Sequence, residues 1–133
     1  MAMQPSGTFT LSKEEHISGR TLTERLFKGG ESRSMSYYPI RVVYCLTERE
    51  EAAARIMVSV PKRYFKRAVK RNRVKRQLRE AYRKNKHLLD ACLSEIGERS
   101  LAMAFIWMDD HLHDSAYVEE RMCKLMVRIT ERI

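Results

Sequence analysis

No stretch of this sequence stays apolar for more than eight residues, Leu101 to Met108, far short of the roughly 20 that a membrane-spanning helix needs. The first ten residues have neither a basic start nor an apolar core, so they do not read as a secretory signal, and a cytoplasmic location is expected. Cysteine is scarce: Cys45, Cys92 and Cys123 are odd in number and lack C-x-x-C spacing. That argues against a disulfide framework or a thiolate zinc site; reduced thiols are expected, with Cys45 and Cys123 as small buried hydrophobes. With 44% hydrophobic and 32% charged residues, the chain is too apolar to stay disordered. Its 133 residues suffice for one core and not for two. The expected organisation is a loose arm over 1–10, where Pro5, Ser6 and Gly7 break any periodicity, and a single domain over 11–133.

What the sequence has in excess is positive charge, and it is concentrated. From Lys62 to Lys86 there are thirteen bases and one acid, Glu80, giving +12 in 25 residues, whereas the other 108 residues carry −3. Like charges at helical spacing repel by a few tenths of a kcal/mol per pair. A segment that accepts this repulsion so often needs an external counter-charge, and a nucleic-acid backbone is the densest available. An anionic membrane surface is the rival partner, but it calls for Trp or Phe at the polar edge of the helix. The aromatics here are only Tyr64, Phe65 and Tyr82, so no membrane partner is expected.

Alternation of apolar residues locates two strands. Ile40, Val42, Tyr44 and Leu46 alternate with Arg41, Val43 and Cys45 within 37–46, and Ile56, Val58 and Val60 alternate with Arg55, Met57 and Ser59 within 55–60. The two are expected to be antiparallel neighbours, the second closed by Pro61. The continuous run Leu101 to Met108 fits a strand buried on both faces. Helical periodicity predicts a short helix over 21–27 stopped by Gly29 and Gly30. A long helix over 68–89 carries the stripe Val74, Leu78, Ala81, Tyr82, Leu88 and Leu89. A last helix, capped by Asp114 or Ser115, carries Val118, Met122, Leu125, Met126 and Ile129. The order helix, strands, helix, strand, helix predicts an α+β fold, helices packed on one small sheet.

On the long helix, Asn72, Lys75, Arg76, Arg79, Arg83 and Lys86 fall on an arc away from the apolar stripe. Arginine pairs with phosphate through a planar fork and stacks on bases, and Asn reaches a base edge or a sugar hydroxyl. A generic solvated basic helix is the bland alternative; a non-enzymatic ribosomal or DNA-binding module would share the same features. The string Lys70-Arg71-Asn72-Arg73-Val74-Lys75-Arg76-Gln77-Leu78-Arg79-Glu80-Ala81-Tyr82 follows a strand ending Ser59-Val60 and a basic turn, Lys62-Arg63. This closely resembles the signature of bacterial ribonuclease P proteins. The likeness runs from about Leu11 through the last helix and takes in Leu26-Phe27-Lys28-Gly29 and Val42-Val43-Tyr44.

The resemblance implies a small antiparallel or mixed sheet of about four strands with three helices and a left-handed βαβ crossover, ribosomal protein S5 domain 2-like. It implies a protein that assists a catalytic RNA subunit in removing the 5′ leader of precursor tRNA and broadens the range of substrates. The chemistry and the Mg²⁺ ions would belong to the RNA, with no catalytic residue, no metal and no protein partner required of the chain itself. Arg71, Asn72, Arg73, Lys75, Arg76 and Arg79, with Lys62 and Arg63, would dock on the RNA subunit. Phe27 and Tyr44 match aromatic positions of a leader-binding cleft between the sheet and the first helix, with Arg41 nearby. Stacking suits a variable single strand because every base has a π-face. Two departures stand out: Thr23 where the family often has a second aromatic, and Tyr64-Phe65-Lys66-Arg67 in place of a Gly-containing turn.

Other features read as structural. His111 and His113 beside Asp109, Asp110 and Asp114 could ligate a metal, but the segment is a strand-to-helix loop where acids commonly cap helices. Glu80 has Lys84 four residues on as an expected partner. A protein-only nuclease would need a set of carboxylates or histidines around the scissile phosphate, which the basic helix lacks. The eight methionines are expected to fill the core.

Overall fold

Period-two patterning in the first half of the chain and period-3.6 patterning in the second resolve into one four-stranded sheet with helices on both faces. The computed structural model describes residues 11, 13–17, 20–28, 30 and 32–133, so the arm expected over 1–10 lies outside the described residues. The helices are α1 (Arg20–Lys28), α2 (Ala68–Asn85), α3 (Asp90–Ile96) and α4 (Ser115–Arg132), with 3₁₀ turns at Lys13–Glu15 and Lys86–Leu89. The strands are β1 (Arg33–Tyr37), β2 (Ile40–Glu48), β3 (Ala54–Ser59) and β4 (Arg99–Trp107), in the order β1-β2-β4-β3. This is the expected α+β class, with three principal helices and α3 as a short addition.

The two strands expected to be neighbours are not paired. β4 lies between them, antiparallel to β2 and parallel to β3. Alternation shows that a segment is a strand and not which strand it joins. The linker 49–53 has to step across one intervening strand, about 10 Å, which five residues reach easily. β4 suits the centre because its residues from Ser100 to Phe105 are all buried, so both of its faces are covered. The parallel β3–β4 pair is closed by the crossover through α2 and α3, the βαβ unit of this fold. The edge strand β1 was not expected: the turn at Tyr38-Pro39 separates it from β2, and its half-buried Met35 and Tyr37 flank exposed Ser36.

Register fixes two faces. Ile40, Val42 and Tyr44 of β2 pair across the sheet with Trp107, Phe105 and Met103, and all of these face the layer of α2, α3 and α4. That layer contributes Val74, Leu78, Ala81 and Tyr82 from α2, and Val118, Met122, Leu125, Met126 and Ile129 from α4. The odd residues of β2 point the other way, where Leu26 of α1 rests on Val43, Cys45, Ala102 and Ala104. Met103, Met122 and Met126 are fully buried, as core filling requires. None of the three cysteines is in a disulfide; Cys45 and Cys92 are buried, and Cys123, expected buried, is half-buried on α4.

The long helix expected to reach Leu89 ends at Asn85, whose Nδ2 donates to the Ala81 carbonyl at 2.8 Å. The chain then tightens into a 3₁₀ turn and restarts as α3, which stops at Gly97 with φ of 61°, a left-handed conformation natural to glycine. Asp114 caps α4, accepting from the Tyr117 amide at 2.8 Å.

Candidate nucleic-acid interface

The buried ridge Val74, Leu78, Ala81 and Tyr82 sets the rotation of α2, and so decides which of its bases reach solvent. Asn72, Arg73, Arg76 and Arg79 are exposed and Lys75 is half-buried. No carboxylate of the described residues lies within 4.0 Å of Arg73, Lys75, Arg76 or Arg79. A groove of about 500 Å³ runs along this face, lined by Arg73, Arg76, Gln77, Arg79, Glu80 and Arg83. Of the expected arc, Arg76, Arg79 and Arg83 line this groove together, whereas Lys86 does not.

Three bases of the segment are paired with carboxylates of the described residues. Arg83 holds Glu80 through both of its carboxylate oxygens, and this hydrogen bonding keeps the Glu80 carboxyl below the usual carboxylate range. Lys84, expected to partner Glu80, instead lies 3.9 Å from Glu119 of α4. Lys86, expected on the free arc, is bound to Glu15 at 2.9 and 3.0 Å. A sequence window sees only neighbours along the helix, and these two lysines found acids on other elements.

Arg71 differs in kind from the bases that follow it. Its Nη1 donates to the carbonyl oxygens of Phe65 at 2.7 Å and Lys66 at 2.8 Å, tying the turn before α2 to the first helical turn. In that turn Phe65 is buried, while Lys62 and Arg63 are exposed. The Arg63 guanidinium lies 5.0 Å from the centre of the Tyr64 ring. Tyr64-Phe65-Lys66-Arg67, lacking a glycine, is therefore held by a buried ring and an arginine clamp. On the other flank, Gln77 Nε2 donates to the His113 carbonyl at 2.9 Å, fastening α2 to the loop before α4.

On the opposite face of the sheet, Phe27 is 45% exposed on α1 and Arg41 is exposed on β2. Tyr44 does not join them. It is 5% exposed and packs in the core between sheet and α4, because residues 41 and 44 lie an odd number of positions apart and so point to opposite faces. What accompanies Arg41 is the cross-strand row Ser36, Arg41, Ile106 and Ser59, a partly open strip beside α1. Ile106 and Ser59 share the parity of Arg41 in their registers, a signal available only once strand pairing is known. Thr23 is half-buried on α1. Three residues after Ser59 the chain enters Lys62-Arg63, so the open strip ends at the basic turn.

Among the described residues, one group has three potential metal ligands close together: Asp109, Asp110 and His111. Asp109 is buried, its Oδ1 3.1 Å from His111 Nδ1 and its Oδ2 2.8 Å from His113 Nε2. Burial alone would raise the Asp109 pKa; the bonds to His113 and His111 outweigh it and hold the carboxyl well below the usual range. Hydrogen bonding to Asp109 raises the His111 pKa. With both Asp109 oxygens engaged by imidazoles, this set does not fit Mg²⁺, which demands an octahedron of oxygens.

Residues 11–126 match the family model described as Ribonuclease P. The chain belongs to the ribonuclease P protein family. It is 44% identical over 132 residues to a ribonuclease P protein component of Porphyromonas gingivalis, covering 98% of this chain and 94% of that one. It is 33% identical over 107 residues to the Chlorobaculum tepidum ribonuclease P protein component, covering 75% and 68%. Solved structures agree in fold. The ribonuclease P protein of Thermotoga maritima superposes with a TM-score of 0.66 at 21% identity, covering 86% of this chain and 96% of that one. That of Staphylococcus aureus gives 0.58 at 18% identity, covering 90% and 97%. As a ribonuclease P protein, the chain is a subunit of an endoribonuclease that acts in tRNA 5′ maturation, and it associates with an RNA subunit.

Proposed function

We propose that the exposed face of α2 docks on the catalytic RNA subunit and that the strip beside α1 receives the single-stranded leader of precursor tRNA. The observation that carries this reading is the row Arg73, Lys75, Arg76 and Arg79, which has no carboxylate within 4.0 Å among the described residues. Arg73, Arg76 and Arg79 with Asn72 contact phosphates and sugars directly; Lys62 and Arg63 extend the contact along the preceding turn. Arg71 is a positioning residue that fixes this turn to the helix. Phe27 and Arg41 hold the leader, one by stacking and one by charge, and Tyr44 supports β2 from the core side.

The polypeptide performs no bond-breaking step, since α2 offers one carboxylate and Arg83 already holds it. Mg²⁺ bound by the RNA supplies activation of water and stabilisation of the leaving oxygen. The protein lowers the repulsion between two polyanions, so less Mg²⁺ is needed to bring them together. These events take place in the cytoplasm; no described helix is long and apolar enough to cross a membrane.

Reconstitution tests the reading. The purified chain is inert on precursor tRNA, and adding it to the RNA subunit gives leader cleavage at a Mg²⁺ concentration where that RNA alone is inactive. Cleavage by the isolated chain in repeated preparations, or no enhancement of the RNA, would overturn it.

A further inference from the structure

Six cations that are scattered in sequence meet at the edge of the molecule formed by β1 and α4, and none belongs to the 62–86 segment. Arg121, Lys124 and Arg128 surround the Tyr37 ring, their charged ends 4.6, 5.3 and 5.2 Å from its centre. Lys124 Nζ also donates to the Tyr37 hydroxyl at 3.0 Å. Further along α4, Arg132 joins Arg33 and Arg99 at the rim of a pocket of about 350 Å³. Tyr44 and Leu46 contribute to its floor and Ile96 of α3 to its wall.

Among the described residues, one of the six cations is paired with a carboxylate, while Glu48 and Glu98 flank Arg99 without pairing with it. Glu120 lies 3.7 Å from Arg121, and Glu131 pairs with none of the six. No carboxylate of the described residues comes within 4.0 Å of Arg33, Arg99, Lys124, Arg128 or Arg132. Outside the 62–86 segment the chain is net negative, so random placement would have mixed the signs. Lys124, Arg128 and Arg132 recur every four residues, about 6 Å along the helix axis, a stride comparable to successive phosphates on one RNA strand.

We infer that the β1–α4 edge is a second RNA-binding face, taking a single strand whose phosphates follow Lys124, Arg128 and Arg132 and whose base or sugar enters the arginine-rimmed pocket. RNA fits better than an acidic protein for two reasons. Five of the six cations are arginines, whose planar fork matches phosphate, and the three that rim the pocket present guanidinium planes on which a flat base can stack. The inference stands apart from the reading of α2, because the two faces use different residues.

Fluorescence anisotropy of the full chain with a labelled 12-nucleotide single-stranded RNA of mixed sequence tests it. Arg73→Gln/Arg76→Gln/Arg79→Gln together with Phe27→Ala/Arg41→Gln first silences the α2 face and the strip beside α1. Adding Arg33→Gln/Arg128→Gln/Arg132→Gln then weakens the remaining binding about tenfold and makes the log–log salt dependence shallower by about 2 units, near 0.7 per phosphate. Lysine at the same three positions restores the slope. Circular dichroism checks folding, and Arg128→Gln alone, shifting the slope by about 0.7, serves if the triple variant is unstable. Unchanged affinity and slope would overturn the inference. So would a poly-glutamate 12-mer that binds as tightly as the RNA and loses affinity equally with the glutamine variants, which marks the edge as a site for acidic protein. Holoenzyme assembly through α2 is measured with the RNA subunit, so either face can fail without the other.

Discussion

α2 and α4 are helices of 18 residues each that pack against one another, yet their N-terminal ends are built differently. α4 begins with an Asp114 cap and ends in Arg132, in keeping with the helix dipole. α2 begins at Arg67 with no side-chain cap, has no acid in its first turn and carries Lys70 and Arg71 where the dipole disfavours them. Local chemistry alone would have made α2 the weaker helix. It is held by its buried ridge and by the Arg71 clamp, tertiary contacts that leave its outer surface free to be unfavourable in isolation. A helix that stabilises itself and one that is stabilised by its surroundings have different tolerances for exposed like charge.

The most damaging way to break the contrast is in the core. Leu78→Ala on α2 is expected to lower stability by about 2–5 kcal/mol, measured by urea denaturation, and Met122→Ala on α4 by a similar amount; a small loss at Leu78 would mean that α2 does not depend on its ridge. Next is the surface. Arg73→Gln/Arg76→Gln should weaken binding to the RNA subunit at least about tenfold and flatten the salt slope by about 2 units, with stability within about 0.5 kcal/mol of the parent. An unaltered slope would remove these residues from the interface.

Asp109→Asn tests the loop that Gln77 fastens to α2. It should lower stability by about 1–3 kcal/mol, with a defined pH window. The native Asp109 pKa lies below its unfolded value, near about 3.9, so its contribution is intact above that and fades as pH falls through the native value. His111 is raised above about 6.5, so its contribution is intact below that pH and fades as pH rises. The parent's advantage over Asp109→Asn should therefore peak between about pH 4 and 6.5; a pH-independent difference would contradict the pairing. The smallest effects lie at the caps. Asp114→Ala should destabilise by about 1 kcal/mol, whereas Arg67→Ser should stabilise by up to about 1 kcal/mol.

Much of this was legible in the residues. Helix α4, its cap and its stripe followed from spacing alone, and so did the buried and basic sides of α2, because both are properties of contiguous sequence. What was not legible depends on pairing between distant segments. Antiparallel pairing was assigned to β2 and β3 because nothing in either segment announces that β4 will come between them. Tyr44 was grouped with Phe27 by the resemblance, although its parity with Val42 placed it on the core side. Arg33, Arg99 and Arg132 look unremarkable one at a time, and only the sheet register and the end of α4 make them neighbours. Lys84 and Lys86 were read as free or helix-paired for the same reason: Glu119 and Glu15 are remote in sequence.

The alanines of β4 deserve a last word in terms of shape. Ala102 and Ala104 lie directly beneath Leu26, so α1 rides as low over the sheet as a methyl group permits. A bulkier side chain at either position would act as a shim, lifting the helix away from the sheet. Two methyl groups thereby set how closely α1 approaches β4.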